Sequence, residues 1–450
     1  MTSTRILLLA TVAVLCVGGQ GQAYGASFGA AQALDLRVTG PLAAAVGSGG
    51  EAVVAGVRRG PGKDQVAVAT RARPGGPWNN RVLGPVVTQA RDVQALITRD
   101  RAVVAWAEAR RDRQSVVVAT GRAGGPLTLL RRVPVADAFA ASPRLARLRS
   151  GAVVLAWRDG TFRARSRVRV ATVDGDRFTA APRTVGTDAA LVVLAARASG
   201  AAVGWISAYR VRPGTNRPRS LLPRTMTVVA LDARGAPAGR QITVGDDVGS
   251  SARLAGAPDG RLVASWMRPQ QIRPYPGEDR GDAPPADAYV APLAFTRQVF
   301  PGLRPARPVG GPSNIGAGAP SVTFQEGDRA VMAVRASMPG VGPAYDVVAA
   351  GSGAAGPWSA LRLVAHLGFS RMDPVAVAPA EGDVVIVYTT LTASVGTPAS
   401  WTVAASTSTG TVPLGATMAS DGRGVAVASA RGRVLVAWPA GDGVQIAERG

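Results

Sequence analysis

Cysteine, histidine and lysine each occur once in this sequence of 450 residues, as Cys16, His366 and Lys63. A single cysteine excludes a disulfide framework and a thiolate zinc site. A single histidine excludes the two-histidine zinc-protease signature, and any Ser-His-Asp triad would have to use His366 as its base. Aromatic residues make up only 5%. No window sustains an apolar stripe at helical spacing, which argues against a helical fold. Gly60 to Lys63 is no phosphate loop, because Asp64 stands where Ser or Thr is needed and a strand follows where a helix should begin. No cofactor, metal or catalytic residue is expected from these counts.

What is present is a repeat. A short Val-rich run recurs eight times, at Ala52 to Val57, Ala102 to Trp106, Ala152 to Trp157, Ala201 to Trp205, Leu262 to Trp266, Ala330 to Val334, Val384 to Tyr388 and Val434 to Trp438. A second run follows each copy, such as Gln65 to Thr70, Ser115 to Thr120 and Tyr289 to Leu293. The period is roughly 50 residues, the scale of a repeat array. The first run is apolar at consecutive positions, so it must be covered on both faces, as in a strand between two packed sheets. A weaker strand precedes each pair and another follows. The expectation is all-β: a single β-propeller of four-stranded blades, eight by count, over residues 27–450. Seven blades follow if one weak unit is an insertion, and two smaller solenoid-like domains are the third option. Leu34 to Val38 precedes the first unit as an orphan fourth strand, and pairing it with the last unit would close the ring.

Residues 1–26 carry Arg5, an apolar segment from Ile6 to Val17, and small residues at Gly21 and Ala23. They read as a secretory signal, too short for a membrane span. Cys16 follows Leu15 and not the small residue of a lipoprotein signal. A secreted or extracellular chain is expected, with cell-envelope association as an option, no membrane span and a monomeric state.

Charge is one-sided. The formal net charge is +22, carried by arginine in all but one of 51 basic residues, as in chains encoded by GC-rich bacterial DNA. Composition bias explains Arg over Lys but not so large an excess over acids. Residues 321–450 hold 8 Arg against 9 acidic residues, so the whole excess lies before them. It concentrates between the two runs of each unit: Arg58, Arg59 and Lys63; Arg110, Arg111 and Arg113; Arg158, Arg163, Arg165 and Arg167; Arg210, Arg212, Arg217, Arg219 and Arg224; then Arg268, Arg273 and Arg280. In a propeller these connections emerge on one face, which makes a basic crescent. Segments 206–225, 267–288 and 295–319 are expected as long loops, functional or disordered. Tyr209 and Tyr275 stand beside arginines there and are candidates for ligand contact, or pegs for their own loops. The tryptophans ending the first runs are expected in the core.

Four carboxylates, Glu108, Asp112, Asp159 and Glu326, are available for acid-base chemistry, though each reads more simply as a turn charge or an ion-pair partner. Asp174, Gly175 and Asp176 read as a hairpin turn and not a calcium loop. After the second runs, Arg71 to Trp78 keeps Gly75 and Trp78 of the pattern S-x-D-x-G-x-x-W, with Arg71 and Arg73 in place of Ser and Asp. Gly351 to Trp358 keeps the Trp, and Ala171 to Phe178 keeps Gly175 with Phe for Trp. In these turns and in repeat rhythm the chain resembles sialidase-type propellers. That resemblance implies an arginine triad and a Tyr–Glu pair, but no position here matches them, so no catalytic residue is carried over.

The reading is therefore a binding module or scaffold. Its ligand would be an anionic polysaccharide or an acidic protein held by Arg110, Arg111, Arg113, Arg163, Arg165, Arg210, Arg212, Arg217 and Arg219, with Tyr209 and Tyr275. Nucleic acid would bind by charge alone, without specificity. The alternatives are a sialidase-like glycan-processing enzyme and a structural propeller with protein partners only.

Overall fold

The computed structural model describes residues 28–38, 41–60, 63–111, 113–160, 166–208, 224–246, 248, 252–257, 259–270, 291–300, 307–308, 315–316, 321–325, 329–337, 345–352, 359, 362–368, 376–380, 383–392, 400–417, 424–441 and 443–450. Among them the one helix is the single turn Ala138–Ala141. The strands form eight antiparallel sheets, six of four strands and two of five.

In chain order the first sheet is Ala43–Val46, Ala52–Gly60, Lys63–Arg71 and Asn79–Val87, and the second is Gln89–Thr98, Arg101–Arg110, Arg113–Arg122 and Thr128–Pro134. The third begins Arg144–Arg147, Val153–Asp159, Arg167–Asp174 and ends in Arg177–Phe178 and Arg183–Thr187, both paired to its third strand. The fourth is Ala189–Arg197, Gly200–Ser207, Met226–Leu231 and Ile242–Gly245; the fifth is Ala252–Gly256, Leu262–Gln270, Ala291–Phe300 and Arg307–Pro308. The sixth has Ile315–Gly316 and Ser321–Phe324 on one edge of Ala330–Ser337, then Tyr345–Ser352 and Arg362–Gly368. The seventh is Ala376–Ala380, Asp383–Thr392, Ser400–Thr407 and Gly410–Thr417, and the eighth is Ala426–Ala430, Arg433–Ala440, Gly443–Arg449 and Gln32–Leu34.

Burial follows strand position. The second strands are apolar at consecutive residues because both their faces are covered: Ala52 to Ala55 and Ala102 to Ala107 have almost no exposed surface. Asn79–Val87, a fourth strand, is exposed at most positions. First strands of successive sheets touch each other in turn, and Ala426–Ala430 touches Ala43–Val46. Four-stranded antiparallel sheets stacked through their innermost strands are the arrangement expected of a β-propeller.

Two elements differ from the sequence reading. The N-terminal strand is Gln32–Leu34, paired with Val444 to Ile446, and not Leu34 to Val38. Beyond Leu34 the amides of Leu36 and Val38 bond the carbonyls two residues back, curling the chain while Leu36 and Val38 still bury. In the fifth sheet the second strand runs on to Gln270 and the third is Ala291–Phe300, so residues 267–270, Arg268 among them, and 295–300 are ladder and not loop. Thr296, Arg297 and Gln298 look like a loop, but backbone pairing is indifferent to side-chain polarity.

Sheet-to-sheet contact repeats two devices. The tryptophan of a second strand lies against a glycine in the fourth strand of the preceding sheet: a Cβ on Gly186 would sit 2.6 Å from the Trp205 ring, one on Gly245 2.7 Å from Trp266, and one on Gly415 2.9 Å from Trp438. At the other end of the sheets, a threonine ending a third strand donates to a carbonyl in the next sheet's third-to-fourth turn. Thr70 reaches Gly125 at 3.2 Å, Thr120 reaches Gly175 at 3.5 Å and Thr172 reaches Arg234 at 2.9 Å. Gly175 and Gly235 hold these turns at φ of +58° and +76°, where other residues are strained.

Gly245→Ala is therefore expected to destabilise the chain by roughly 1–3 kcal/mol, the cost of overpacking. In a Trp266→Leu background the same change should cost markedly less. Urea unfolding of the four variants measures both; equal costs in the two backgrounds would contradict the tryptophan–glycine contact.

Candidate functional site

Each sheet has one end where the second strand finishes and the third begins, and first strands start at this same end. In the first sheet Arg58 and Arg59 pair with Gln65 and Asp64 across the hairpin. Arg58, Arg59 and Lys63 are exposed, whereas Asp64 is buried and accepts the Ala90 amide of the next sheet at 2.9 Å. In the second sheet Arg110 and Arg113 pair at the hairpin tip, and Arg111 turns the chain at φ +39°. Arg111 and Arg113 are exposed. Asp112 lies outside the described residues.

Glu108 anchors this end of the second sheet. Alternation along a strand puts it on the same face as Trp106, and the indole Nε1 donates to its Oε2 at 3.1 Å. Arg132 Nε donates to Oε1 at 2.8 Å, and Arg110 Nε lies 3.0 Å from that oxygen. The carboxylate is 3% exposed, while the Arg110 and Arg132 side chains are 34% and 31% exposed. Glu108 is thus a structural acid consumed by its partners. Arg110, a predicted ligand residue, lies in this cluster.

The third sheet departs from the crescent. Arg158 belongs to a strand and is 1% exposed, so it is not a loop cation. Burial pushes its guanidinium pKa down, and the Asp137 carboxylate partly opposes this. Asp159 accepts the Ala136 amide at 3.2 Å and faces Arg169 at 3.4 Å, while Arg167 is exposed. Arg224 is buried and donates from Nε to the Ser207 carbonyl at 3.0 Å. Arg163, Arg165, Tyr209, Arg210, Arg212, Arg217, Arg219 and Tyr275 lie outside the described residues, as does Glu326. The tryptophans are core, with Trp106, Trp157, Trp205, Trp266 and Trp438 all buried.

At the opposite end, the degenerate turn after Lys63–Arg71 has its own logic. Arg71 is buried, stacks 4.8 Å over Trp78 and ion-pairs with Glu448 at 2.6 Å, joining the first sheet to the eighth. Arg449 continues the line to Asp383 at 3.2 Å. The Asp174–Asp176 turn is a hairpin whose Asp176 pairs with Arg101. Among the described residues, no three His, Cys, Asp or Glu side chains gather where a metal could bind.

The pattern of charge carries the chemistry. At the hairpin ends of the first two sheets the acids Asp64 and Glu108 turn inward and the cations Arg58, Arg59, Lys63, Arg111 and Arg113 turn outward; in the third sheet Arg167 is exposed and Arg158 buried. Such a surface attracts anions, and guanidinium forks grip carboxylate or sulfate with two hydrogen bonds. The ion pairing of Glu108 with nearby arginines agrees with the sequence reading, whereas its burial and its bond to Trp106 were missed. The signal was the Trp-x-Glu spacing, which places indole and carboxylate on one face.

Glu108→Gln should cost about 1–3 kcal/mol in urea unfolding, because it leaves charged donors around Trp106 less well satisfied. A stability unchanged from the parent would show that the cluster is dispensable.

No protein-family model matches this chain, and no curated protein sequence matches it. Solved structures similar to it include the ulvan lyase of polysaccharide lyase family PL25, at 10% identity and TM-score 0.44, covering 91% of this chain and 93% of that one. The α-L-arabinofuranosidase Arb93a of Fusarium graminearum is similar at 12% identity and TM-score 0.42, over 85% of this chain and 94% of that one. Puromycin hydrolase is similar at 14% identity and TM-score 0.45, over 90% of this chain and 59% of its own length. The first two are named for action on glycans, and none of the three assigns a residue or a substrate to this chain.

Proposed function

We propose that this chain is a secreted, eight-bladed β-propeller, closed by Gln32–Leu34 against the last sheet, that binds an acidic polysaccharide through the arginines at its hairpin ends. The observation supporting the ligand class is the sorting of charge there: buried Asp64 and Glu108 inside, exposed Arg58, Arg59, Arg111, Arg113 and Arg167 outside. A row of cations on successive sheets suits a polymer that repeats its negative charge. Arg163, Arg165, Arg210, Arg212, Arg217 and Arg219, with Tyr209 and Tyr275, extend the same surface in this reading. Eight sheets in sequence, with first strands touching from Ala43–Val46 round to Ala426–Ala430, support the blade count and closure.

A second reading, cleavage of that glycan, is favoured by one observation. Asp92 sits at φ +53° in a bulge of an innermost strand, with Ser142 Oγ donating to its carboxylate at 3.2 Å and Arg144 attracting it. Strained acids beside cations are often functional.

Retention on immobilised polygalacturonate, absent on neutral dextran, is the expected result at low salt. It should be lost towards 1 M salt, where the screening length falls to about 3 Å. Ser substitutions at Arg110, Arg111 and Arg113, or at Arg210, Arg212, Arg217 and Arg219, should each weaken retention. No retention at low salt would sink the binding reading. Release of oligosaccharide on incubation, lost in Asp92→Asn, would establish cleavage.

A further inference from the structure

The first and eighth sheets meet along a seam that holds a small cavity, at the end opposite the hairpins of the crescent. Its lining includes Val46, Gly50 and Arg71 of the first sheet and Arg433, Glu448 and Arg449 of the eighth. Strand register brings the last three together, since Val434 pairs with Arg449 and Leu435 with Glu448. The cavity volume is ≈ 20 Å³. That is room for one particle about the size of a water molecule.

Three arginines line this space, and their partners do not balance them. Buried Arg71 is ion-paired to Glu448 at 2.6 Å, stacks on Trp78 and lies 3.5 Å from the Gly50 carbonyl through Nη2, but its buried Nε has no acceptor. Arg449 donates from both Nη atoms to Asp383 Oδ2, at 3.2 and 3.3 Å. Arg433 is half-buried, and its Nη1 would lie 3.4 Å from a Cβ on Gly50 and 3.5 Å from one on Gly450. Its guanidinium therefore reaches from the eighth sheet to the first turn of the first. Among the described residues it makes no hydrogen bond or ion pair. With Glu448 on Arg71 and Asp383 on Arg449, the positive charge left over is that of Arg433.

A guanidinium offers only donors and stays charged at any ordinary pH. A water in the cavity would serve Arg71 Nε and the Glu448 Oε1 atom, which is buried without a directed hydrogen bond. It would leave the charge of Arg433 uncompensated in a half-buried place, which is costly. An anion accepts from guanidinium groups and cancels that charge at once. We propose that the cavity is a binding site for one chloride ion, held between Arg433 and Arg71 and so bridging the first and eighth sheets. The volume suits a single atom and not a sulfate or a sugar carboxylate. The site is independent of the glycan reading, and its occupant would stabilise the pairing of the two sheets.

The test exchanges sodium gluconate, too bulky for the cavity, for sodium chloride at constant ionic strength and follows thermal unfolding of the whole chain. Chloride is expected to raise Tm by roughly 1–2 °C once it stands about tenfold above its Kd. Arg433→Gln should lose that rise. The Arg110, Arg111 and Arg113 to Ser variant should keep it, which separates the seam from loose ion binding at the crescent. Crystals of the parent soaked in bromide should show an anomalous peak in the cavity, and this measurement decides alone if Arg433→Gln does not fold. A Tm indifferent to chloride in the parent, an equal rise in Arg433→Gln, or a cavity holding water and no bromide overturns the proposal.

Discussion

Face-to-face packing of neighbouring sheets is the constraint on which the rest of this structure depends. No sheet here can bury its own apolar residues, because each is a thin layer with both faces apolar at its centre. Ala102 to Ala107 are buried only because sheets cover them on either side. The fit between layers is specific: Gly186, Gly245 and Gly415 have no side chain because the next sheet's Trp205, Trp266 and Trp438 occupy that volume. Threonine-to-turn hydrogen bonds fasten neighbouring sheets at the opposite end, and the interface between the third and fourth sheets has both devices.

That fastening lies largely away from the connections between second and third strands. Where they are described, polar groups pointing inward do the holding. Asp64 takes an amide from the next sheet and Glu108 gathers an indole and two guanidinium groups. What faces outward is then positive by default. Arginine excess and the direction of the acids are separate observations, and both are needed before the charge of the chain implies a surface.

The architecture was legible because the signal is local. Consecutive apolar residues bounded by turn residues specify a strand covered on both faces, and their recurrence specifies the layers. Relations between units were not legible. Nothing in the fourth strand Ile242–Gly245 announces that Gly245 answers Trp266, since the two belong to different sheets. Arg158 sits among other arginines in sequence and was read with them, yet strand alternation and burial separate it from exposed Arg167. The strand Ala291–Phe300 was shortened by its polar residues because its pairing is made by backbone alone. Arg253 and Ser321 are 68 residues apart, and only the stacking of sheets joins them.

The eighth sheet takes strands from both ends of the sequence, Gln32–Leu34 beside Gly443–Arg449. During synthesis, Gln32–Leu34 are made long before Val444 to Ile446 and must wait for most of the chain before that partner exists. Leu34, Leu36 and Val38 belong to a cluster shared by the first and eighth sheets, so part of their cover is missing throughout that interval. Contacts so distant in sequence form slowly, and apolar segments left open meanwhile invite association with other chains. In a cell, the time before this last strand pairing forms is therefore the period in which the protein most needs a chaperone.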